Sequence, residues 1–269
     1  MSLANPLSMF DVKGKVALIT GASGAFGAVA ARVLAGAGCR LLLAAGKASE
    51  LAAIATECRD GGAEVLEINA RPDSEAACAD MVAKAVEAFG RLDILVVASG
   101  MNKVAKIDEM APETFLTVMD ANVTQSWLLA RAATVQMKAQ GANSDGNSGK
   151  IVFVSSARGL LGHPAGYTAY CASKAAVDGI TKALGCELGP LGITVNAIAP
   201  TVFRSPLTAW MFADTPEAEA VRKGFLARVP KGRLGEPEDL AGPLLFLASK
   251  ASDFYTGHIL YADGGYTAG

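Results

Sequence analysis

The sequence predicts an α/β fold in three layers, a doubly wound parallel sheet of about seven strands between two layers of helices. Two observations predict it. Short apolar runs without polar alternation, such as Lys15 to Thr20 and Leu92 to Ala98, have the pattern of strands covered on both faces. These runs alternate with stretches of helical period, which requires crossover connections and therefore parallel pairing. Ligands then belong at the carboxyl ends of the strands. With 269 residues, 51% of them hydrophobic, the chain can bury one sizeable core. It reads as a single domain over 1–269.

The first strand, Lys15 to Thr20, ends in Gly21-Ala22-Ser23-Gly24-Ala25-Phe26-Gly27. Beyond it Phe26, Val29, Ala30, Val33 and Leu34 recur at helical spacing until Gly36-Ala37-Gly38 stops the helix. A strand feeding a glycine turn feeding a helix suits a pyrophosphate: the absent side chains let the backbone approach, and free amides at the positive helix end face the phosphates. This is the dinucleotide-binding, Rossmann-type signature. The alternation continues with a strand over Arg40 to Ala45, a helix capped by Ser49 and ending near Gly61-Gly62, and a strand over Ala63 to Ile68. Asp73 or Ser74 caps a helix ending at Phe89-Gly90, before the strand from Leu92 to Ala98. One long helical region is expected from Pro112 to Gln140, then a mobile solvated loop over 141–149, which has almost nothing apolar to bury. Strands at Ile151 to Val154 and Ile193 to Ile198 flank a helix from Thr168 to Leu188. After a less regular segment, Thr201 to Arg233, come a helix from Pro237 to Ser249 and a strand from His258 to Ala262.

Chemistry concentrates between Ser156 and Lys174. If Tyr170 opens a helix, Lys174 lies one turn on along the same face and sets an ammonium beside a phenol. Positive charge favours the phenolate and makes Tyr170 a candidate proton donor or acceptor near neutral pH. The net charge of -2 gives no electrostatic footprint for nucleic acid or an anionic membrane. No apolar run is long enough to span a bilayer and no export leader is visible, so a cytoplasmic location is expected. Five cysteines, scattered and without a CxxC or Cys/His cluster, read as reduced thiols, and no metal site is expected. Cys171, beside Tyr170, reads as packing filler.

These residues, in this order, resemble the short-chain dehydrogenase/reductase family over nearly the whole chain. The likeness rests on the Thr20-Gly21 glycine turn, Asn122, Ser156, the Tyr170/Lys174 pair, Asn196-Ala197-Ile198-Ala199-Pro200 and the terminal Asp263-Gly264-Gly265. The resemblance implies a secondary alcohol/ketone oxidoreductase using NADP or NAD. In it Tyr170 is the acid/base, and Lys174 holds the nicotinamide ribose and lowers the phenol's pKa. Ser156 bonds the substrate oxygen, and Asn122 holds a water linking Lys174 to solvent. It also implies cofactor contacts from Gly21, Ser23, Gly24, Phe26, Gly27, Lys47, Asn69, Ser99, Gly100, Pro200, Val202, Phe203 and Ser205, and a homo-oligomer, tetramer or dimer.

The chain departs from the family pattern in several places. Ala25 stands where the usual middle glycine falls, and Val97-Ala98-Ser99-Gly100 replaces Asn-Asn-Ala-Gly, which removes expected bracing bonds. Ser156 precedes Tyr170 by fourteen residues, one more than expected, with Ser155 as a minor alternative. Thr201 replaces the glycine after Pro200. The second strand ends without an acid, in Ala44-Ala45-Gly46-Lys47, which favours NADP over NAD. The substrate pocket is expected from Arg158 to Tyr167, Met101 to Val104 and a lid over 201–233, with Trp210, Met211 and Phe212 able either to close over a ligand or to pack inside. Arg158, Arg204 and His163 are candidates for binding a carboxylate. Such a pocket fits a 3-oxoacyl group on an acyl carrier, as in a 3-oxoacyl-[acyl-carrier-protein] reductase, or a sugar-derived polyol or acid. Readings of another class are a dinucleotide-binding sensor without turnover, motivated by Val97-Ala98-Ser99, and a scaffold.

Overall fold

The computed structural model describes residues 4–205 and 208–269. Seven strands, β1 (Val16–Thr20), β2 (Arg40–Ala44), β3 (Val65–Ile68), β4 (Ile94–Val97), β5 (Gly149–Val154), β6 (Ile193–Pro200) and β7 (Ile259–Ala262), form one sheet in the order β3-β2-β1-β4-β5-β6-β7. Every pairing is parallel. Among the described residues the α-helices are α1 (Ala25–Gly36), α2 (Ala48–Asp60), α3 (Glu75–Phe89), α4 (Pro112–Met119), α5 (Gln125–Gln140), α6 (Thr168–Leu188), α7 (Pro216–Leu226) and α8 (Ala241–Ala248).

The absence of polar alternation has the expected cause in the inner strands, where β1, β4, β5 and β6 bury side chains on both faces, while the edge strands β3 and β7 are only half-buried. Ala17, Ile19, Leu41, Leu43 and Val96 pack with Val29 and Leu34 of α1, Leu51 of α2 and Leu244 of α8. Their neighbours Val16, Leu18, Leu42, Leu95 and Phe153 pack on the other face with Met81 of α3, Leu129 of α5 and Val177 of α6. The strand order reverses between β1 and β4. The turns leaving these two strands therefore diverge and open a crevice at the carboxyl edge.

Several local expectations need correction. Ser49 does not cap α2; that helix starts at Ala48 with Lys47 in the capping position and no side-chain cap, whereas Ser74 does cap α3, accepting from the Ala77 amide at 3.1 Å. The helical region from Pro112 to Gln140 is interrupted by a π-turn, Asp120–Thr124, whose extra residue per turn is absorbed around Asn122. The stretch 141–149 is tied down by polar bonds instead of being loose in solvent: Asn143 Oδ1 accepts from the Asp145 amide at 2.9 Å, Asp145 pairs with Lys15 at 2.6 Å, and Gly149 already belongs to β5. The lid stretch contains a short helical turn, Ala209–Phe212, and α7; residues 206 and 207 lie outside the described residues. The expected helix from Pro237 is a short turn, Pro237–Leu240, closed by reciprocal Glu236 and Asp239 bonds, followed by α8.

Candidate active site

Three strand ends position the site. At the end of β1, Gly21 has φ 65°, and an added Cβ would lie 2.6 Å from the Ala98 carbonyl carbon, so only glycine lets the turns after β1 and β4 approach this closely. The turn leads into α1, whose capping residue Gly24 offers no side-chain acceptor. The first amides of α1 thus remain free donors at a positive helix end. At the end of β4, Ser99 and Thr20 share a hydrogen bond at 3.2 Å. The serine therefore restores part of the bracing that the departure from Asn-Asn-Ala-Gly was expected to remove.

Asn122, 1% exposed in the π-turn, supplies the rest. Its side-chain oxygen accepts from the Met101 amide at 2.7 Å, and its nitrogen donates to the Met101 carbonyl and to the Ser173 hydroxyl, both at 2.9 Å. A Cβ on Gly100 would sit 2.9 Å from that oxygen and 3.8 Å from Lys174 Nζ. The glycine of the β4 turn, the asparagine and the lysine thus meet at one point.

At the end of β5, Lys174 Nζ donates to the Val154 carbonyl at 2.8 Å and lies 5.7 Å from the centre of the Tyr170 ring. The Ser156 hydroxyl faces the phenol closely enough to oppose the rise in its pKa. Both follow from the helix: α6 begins at Thr168, so Tyr170 and Lys174 share a face one turn apart. The fourteen-residue spacing is absorbed by a tight turn, Ala157–Gly159, in which Ser156 Oγ accepts from the Arg158 amide at 3.1 Å. Ser155 is turned inward and donates to Asp178 Oδ1 at 2.5 Å, which removes it as the alternative.

The electrostatics differ from the simple expectation of a lowered phenol pKa. Burial raises the Tyr170 pKa above its ordinary value, opposed by the Ser156 hydroxyl and by the charge of Arg158. Burial also pushes Lys174 down to about 8, opposed by Asp178 one turn further along α6. Lys174 is 6% exposed and bonds only the Val154 carbonyl among the described residues. Two of its three protons are thus left for another acceptor.

The crevice brings together most of the expected cofactor residues. Gly21, Ser23, Gly24, Lys47, Ser99 and Gly100 line it with Ala45, Gly46, Ala70 and Arg71, and no acid lines it. Lys47 is paired with Glu50 at 2.8 Å. Arg71 was not anticipated; its guanidinium packs against Gly46, and a Cβ there would lie 2.6 Å from Nε. Asn69 donates to the Ala45 carbonyl at 2.9 Å, which assigns its amide nitrogen to joining the ends of β2 and β3. Gly27 is buried against the Gly21 carbonyl and serves packing of the turn. Phe26 and Pro200 line a small apolar recess beneath the crevice with Val154 and Ile198. Phe203 is turned into the core against Phe26 and under Gly235, Val202 accepts from the Gly235 amide at 2.9 Å, and Ser205 bonds the Thr208 hydroxyl at 2.9 Å. These last three residues shape the start of the lid from below.

Around the phenol the pocket differs from expectation. Arg204 pairs with Glu236 at 2.9 Å and stacks on Phe212, and Met211 is buried, so of Trp210, Met211 and Phe212 only Trp210 is largely exposed. His163 stacks on Tyr167, which meets Tyr170 edge-on. The Cys171 thiol is pushed up by burial and acts as filler. Tyr266, Arg228 and Asp178 went unnoticed in the sequence. Only Asp178, four residues after Lys174, carried a spacing signal.

A family model described as enoyl-(acyl carrier protein) reductase matches residues 21–267. The chain belongs to the short-chain dehydrogenase/reductase family. As a short-chain dehydrogenase/reductase it is an oxidoreductase that binds a nicotinamide dinucleotide. It is 52% identical to an uncharacterized oxidoreductase of Mycobacterium tuberculosis, over 97% of this chain and 94% of that one. It is 35% identical to the 3-oxoacyl-[acyl-carrier-protein] reductase FabG of Rickettsia bellii, over 96% and 98%. A gluconate 5-dehydrogenase from Burkholderia cenocepacia, solved in complex with NADP and tartrate, superimposes with a TM-score of 0.88 at 30% identity, covering 98% of this chain and 99% of that one. No helix among the described residues is long and apolar enough to cross a membrane.

Proposed function

We propose that this short-chain dehydrogenase/reductase interconverts a secondary alcohol and a ketone with NADP as the preferred dinucleotide and Tyr170 as the acid/base. The observation that carries the reading is the Ser156 hydroxyl on the Tyr170 phenol, beside a buried lysine with protons to spare, at the glycine-lined crevice. Two hydroxyls converging on one point suit a substrate oxygen.

The bound dinucleotide supplies the hydride in reduction and accepts it in oxidation. When a carbonyl carbon gains the hydride, its oxygen gains the Tyr170 proton, and Ser156 donates a hydrogen bond to the same oxygen as charge builds on it. Lys174, charged below about pH 8, would steady the phenolate left behind and donate its free protons to ribose hydroxyls, and a water held near Asn122 would return a proton from solvent. In oxidation each transfer reverses. Gly21, Ser23, Gly24 and the first amides of α1 would hold the pyrophosphate, Ser99 and Gly100 the ribose side, and Pro200 and Val202 the carboxamide end.

The preference for NADP rests on Lys47 and Arg71 beside Gly46 and on the acid-free lining. The superimposable gluconate 5-dehydrogenase carries NADP, which supports it. The two named relatives favour different substrates, a 3-oxoacyl thioester and a sugar acid. The fold also exposes Leu116, Trp127 and Val135 on α4 and α5, apolar surface that supports a homo-oligomer, dimer or tetramer. The deciding experiment is a screen of ketones and alcohols with each dinucleotide, followed by absorbance of the reduced nicotinamide. Turnover with NADPH is the expected result. Turnover confined to enoyl thioesters, or surviving Tyr170→Phe, would overturn the reading.

A further inference from the structure

Around Tyr266 the protein holds two positive charges with no ion-paired carboxylate among the described residues. Arg158 leaves the turn directly after Ser156; its Nη1 donates to the Gly162 carbonyl at 2.7 Å and its Nη2 to the Tyr266 hydroxyl at 2.9 Å. Arg228, just beyond α7, stacks over the same tyrosine ring, 4.5 Å from its centre, while Arg158 lies 5.4 Å from it. The two guanidiniums are therefore at most about 10 Å apart, within a Debye length, and they repel each other. Tyr266, 2% exposed and stacked on Phe225, is a fixed platform between them.

Among the described residues neither arginine is ion-paired with a carboxylate, and unlike Arg40, Arg71 and Arg222, which also lack an ion pair, these two share one aromatic ring. His163 feels both charges, and Tyr170 feels that of Arg158. Arg158 thus faces the reacting centre, with Arg228 on the same tyrosine ring behind it. Arginine is also the side chain whose planar fork matches a carboxylate with two parallel hydrogen bonds.

We propose that Arg158 and Arg228 recognise a carboxylate borne by the substrate itself, so that the preferred substrate is an oxo acid, or the matching hydroxy acid, and not a neutral ketone or alcohol. This rests on the acid/base reading of Tyr170 given above. A phosphate on an acyl carrier's pantetheine arm would be many bonds from the 3-oxo carbonyl being reduced, too far for a charge set this close to the phenol. The carboxylate is instead a few bonds from the carbon that takes the hydride.

The test compares 5-keto-gluconate, the neutral ketose fructose and the acetoacetyl thioester of N-acetylcysteamine as substrates with NADPH, for the wild type and for Arg228→Gln and Arg228→Lys. Arg228 is exposed, so neither change threatens the core. The wild type is expected to favour the oxo acid over the ketose at least about tenfold in kcat/KM. Arg228→Gln is expected to erase most of that ratio through KM, and Arg228→Lys to restore part of it. Calorimetric titration of the NADP complex of Tyr170→Phe with gluconate reads binding without turnover, and adding Arg228→Gln is expected to weaken it about tenfold. A charge preference indifferent to Arg228, or preference for the thioester, overturns the inference and leaves the acid/base reading standing. Arg228-dependent gluconate binding without turnover of any carbonyl supports carboxylate recognition and removes the acid/base reading.

Discussion

Two lysines mark opposite ends of β5, and comparing them separates what holds this protein together from what it uses. Lys150, second residue of the strand, is 4% exposed; Lys174, 6% exposed, reaches the carbonyl of Val154 at its other end. The first is matched by Asp253 at 2.7 Å and has Ser252 beside it. Burial lowers its pKa, but the Asp253 bond and the charges of Asp253 and Asp145 oppose the shift. The second has a backbone carbonyl as its sole acceptor among the described residues and only the more distant charge of Asp178, and its pKa falls to about 8. A buried ammonium costs free energy unless it is paired. At the amino edge of the sheet that cost is offset within the chain. At the carboxyl edge it is left standing, next to a crevice where a polar ligand can offset it.

The comparison can be broken most directly at the group Lys174 serves. Tyr170→Phe keeps the ring and loses the proton, so turnover should fall by about 10²–10⁴, read as oxidation of NADPH, while NADP still raises the melting temperature. Unchanged turnover would place the acid elsewhere. Next, Lys174→Met should remove a penalty that depends on pH. The lysine has a folded pKa of about 8 against an ordinary value of 10.5, so below pH 8 it is charged in both states and the burial penalty is complete. As pH rises from 8 to 10.5 the unfolded chain holds the extra proton, and wild-type stability rises relative to the variant. The stability difference between the variant and the wild type should therefore shift by about 3 kcal/mol in the wild type's favour across that interval. Urea unfolding at pH 7 and pH 10 checks it, and a constant difference would show that Lys174 is not held as a strained cation.

Lys150 predicts the reverse pattern. Asp253→Asn leaves its ammonium buried with a weaker acceptor and should cost about 2 kcal/mol of stability, less than for a fully enclosed pair because Asp253 is one-third exposed. Turnover per folded molecule should not change; a loss of turnover would join the two ends of β5 functionally. The smallest effect belongs to the crevice rim. Arg71→Ala should weaken NADP about tenfold and leave NAD within about twofold, measured by fluorescence titration. Equal loss for both dinucleotides would mean that Arg71 only supports Gly46.

Much of this was legible in the chain because its signals are local. Apolar runs without alternation gave the doubly covered strands, and a helix starting near Thr168 put Tyr170 and Lys174 on one face by spacing alone. Ser74 capped its helix as its side chain allows, whereas Ser49 did not, because α2 starts a residue earlier. The polar stretch 141–149 was misread because its partners, Lys15 and Gly192, are remote in sequence and belong to no period.

By itself the sequence determined the layer order, the glycine turn and the order of Asn122, Ser156, Tyr170 and Lys174, since each depends on residue type and spacing along one segment. Only the tertiary structure decided that Ser156 and not Ser155 meets the phenol, that Phe203 faces inward, that burial outweighs positive charge at Tyr170, and that Arg158 and Arg228 share the ring of Tyr266 without an acid. These depend on desolvation and on contacts between segments far apart in the chain, and neither leaves a periodic trace in the order of residues.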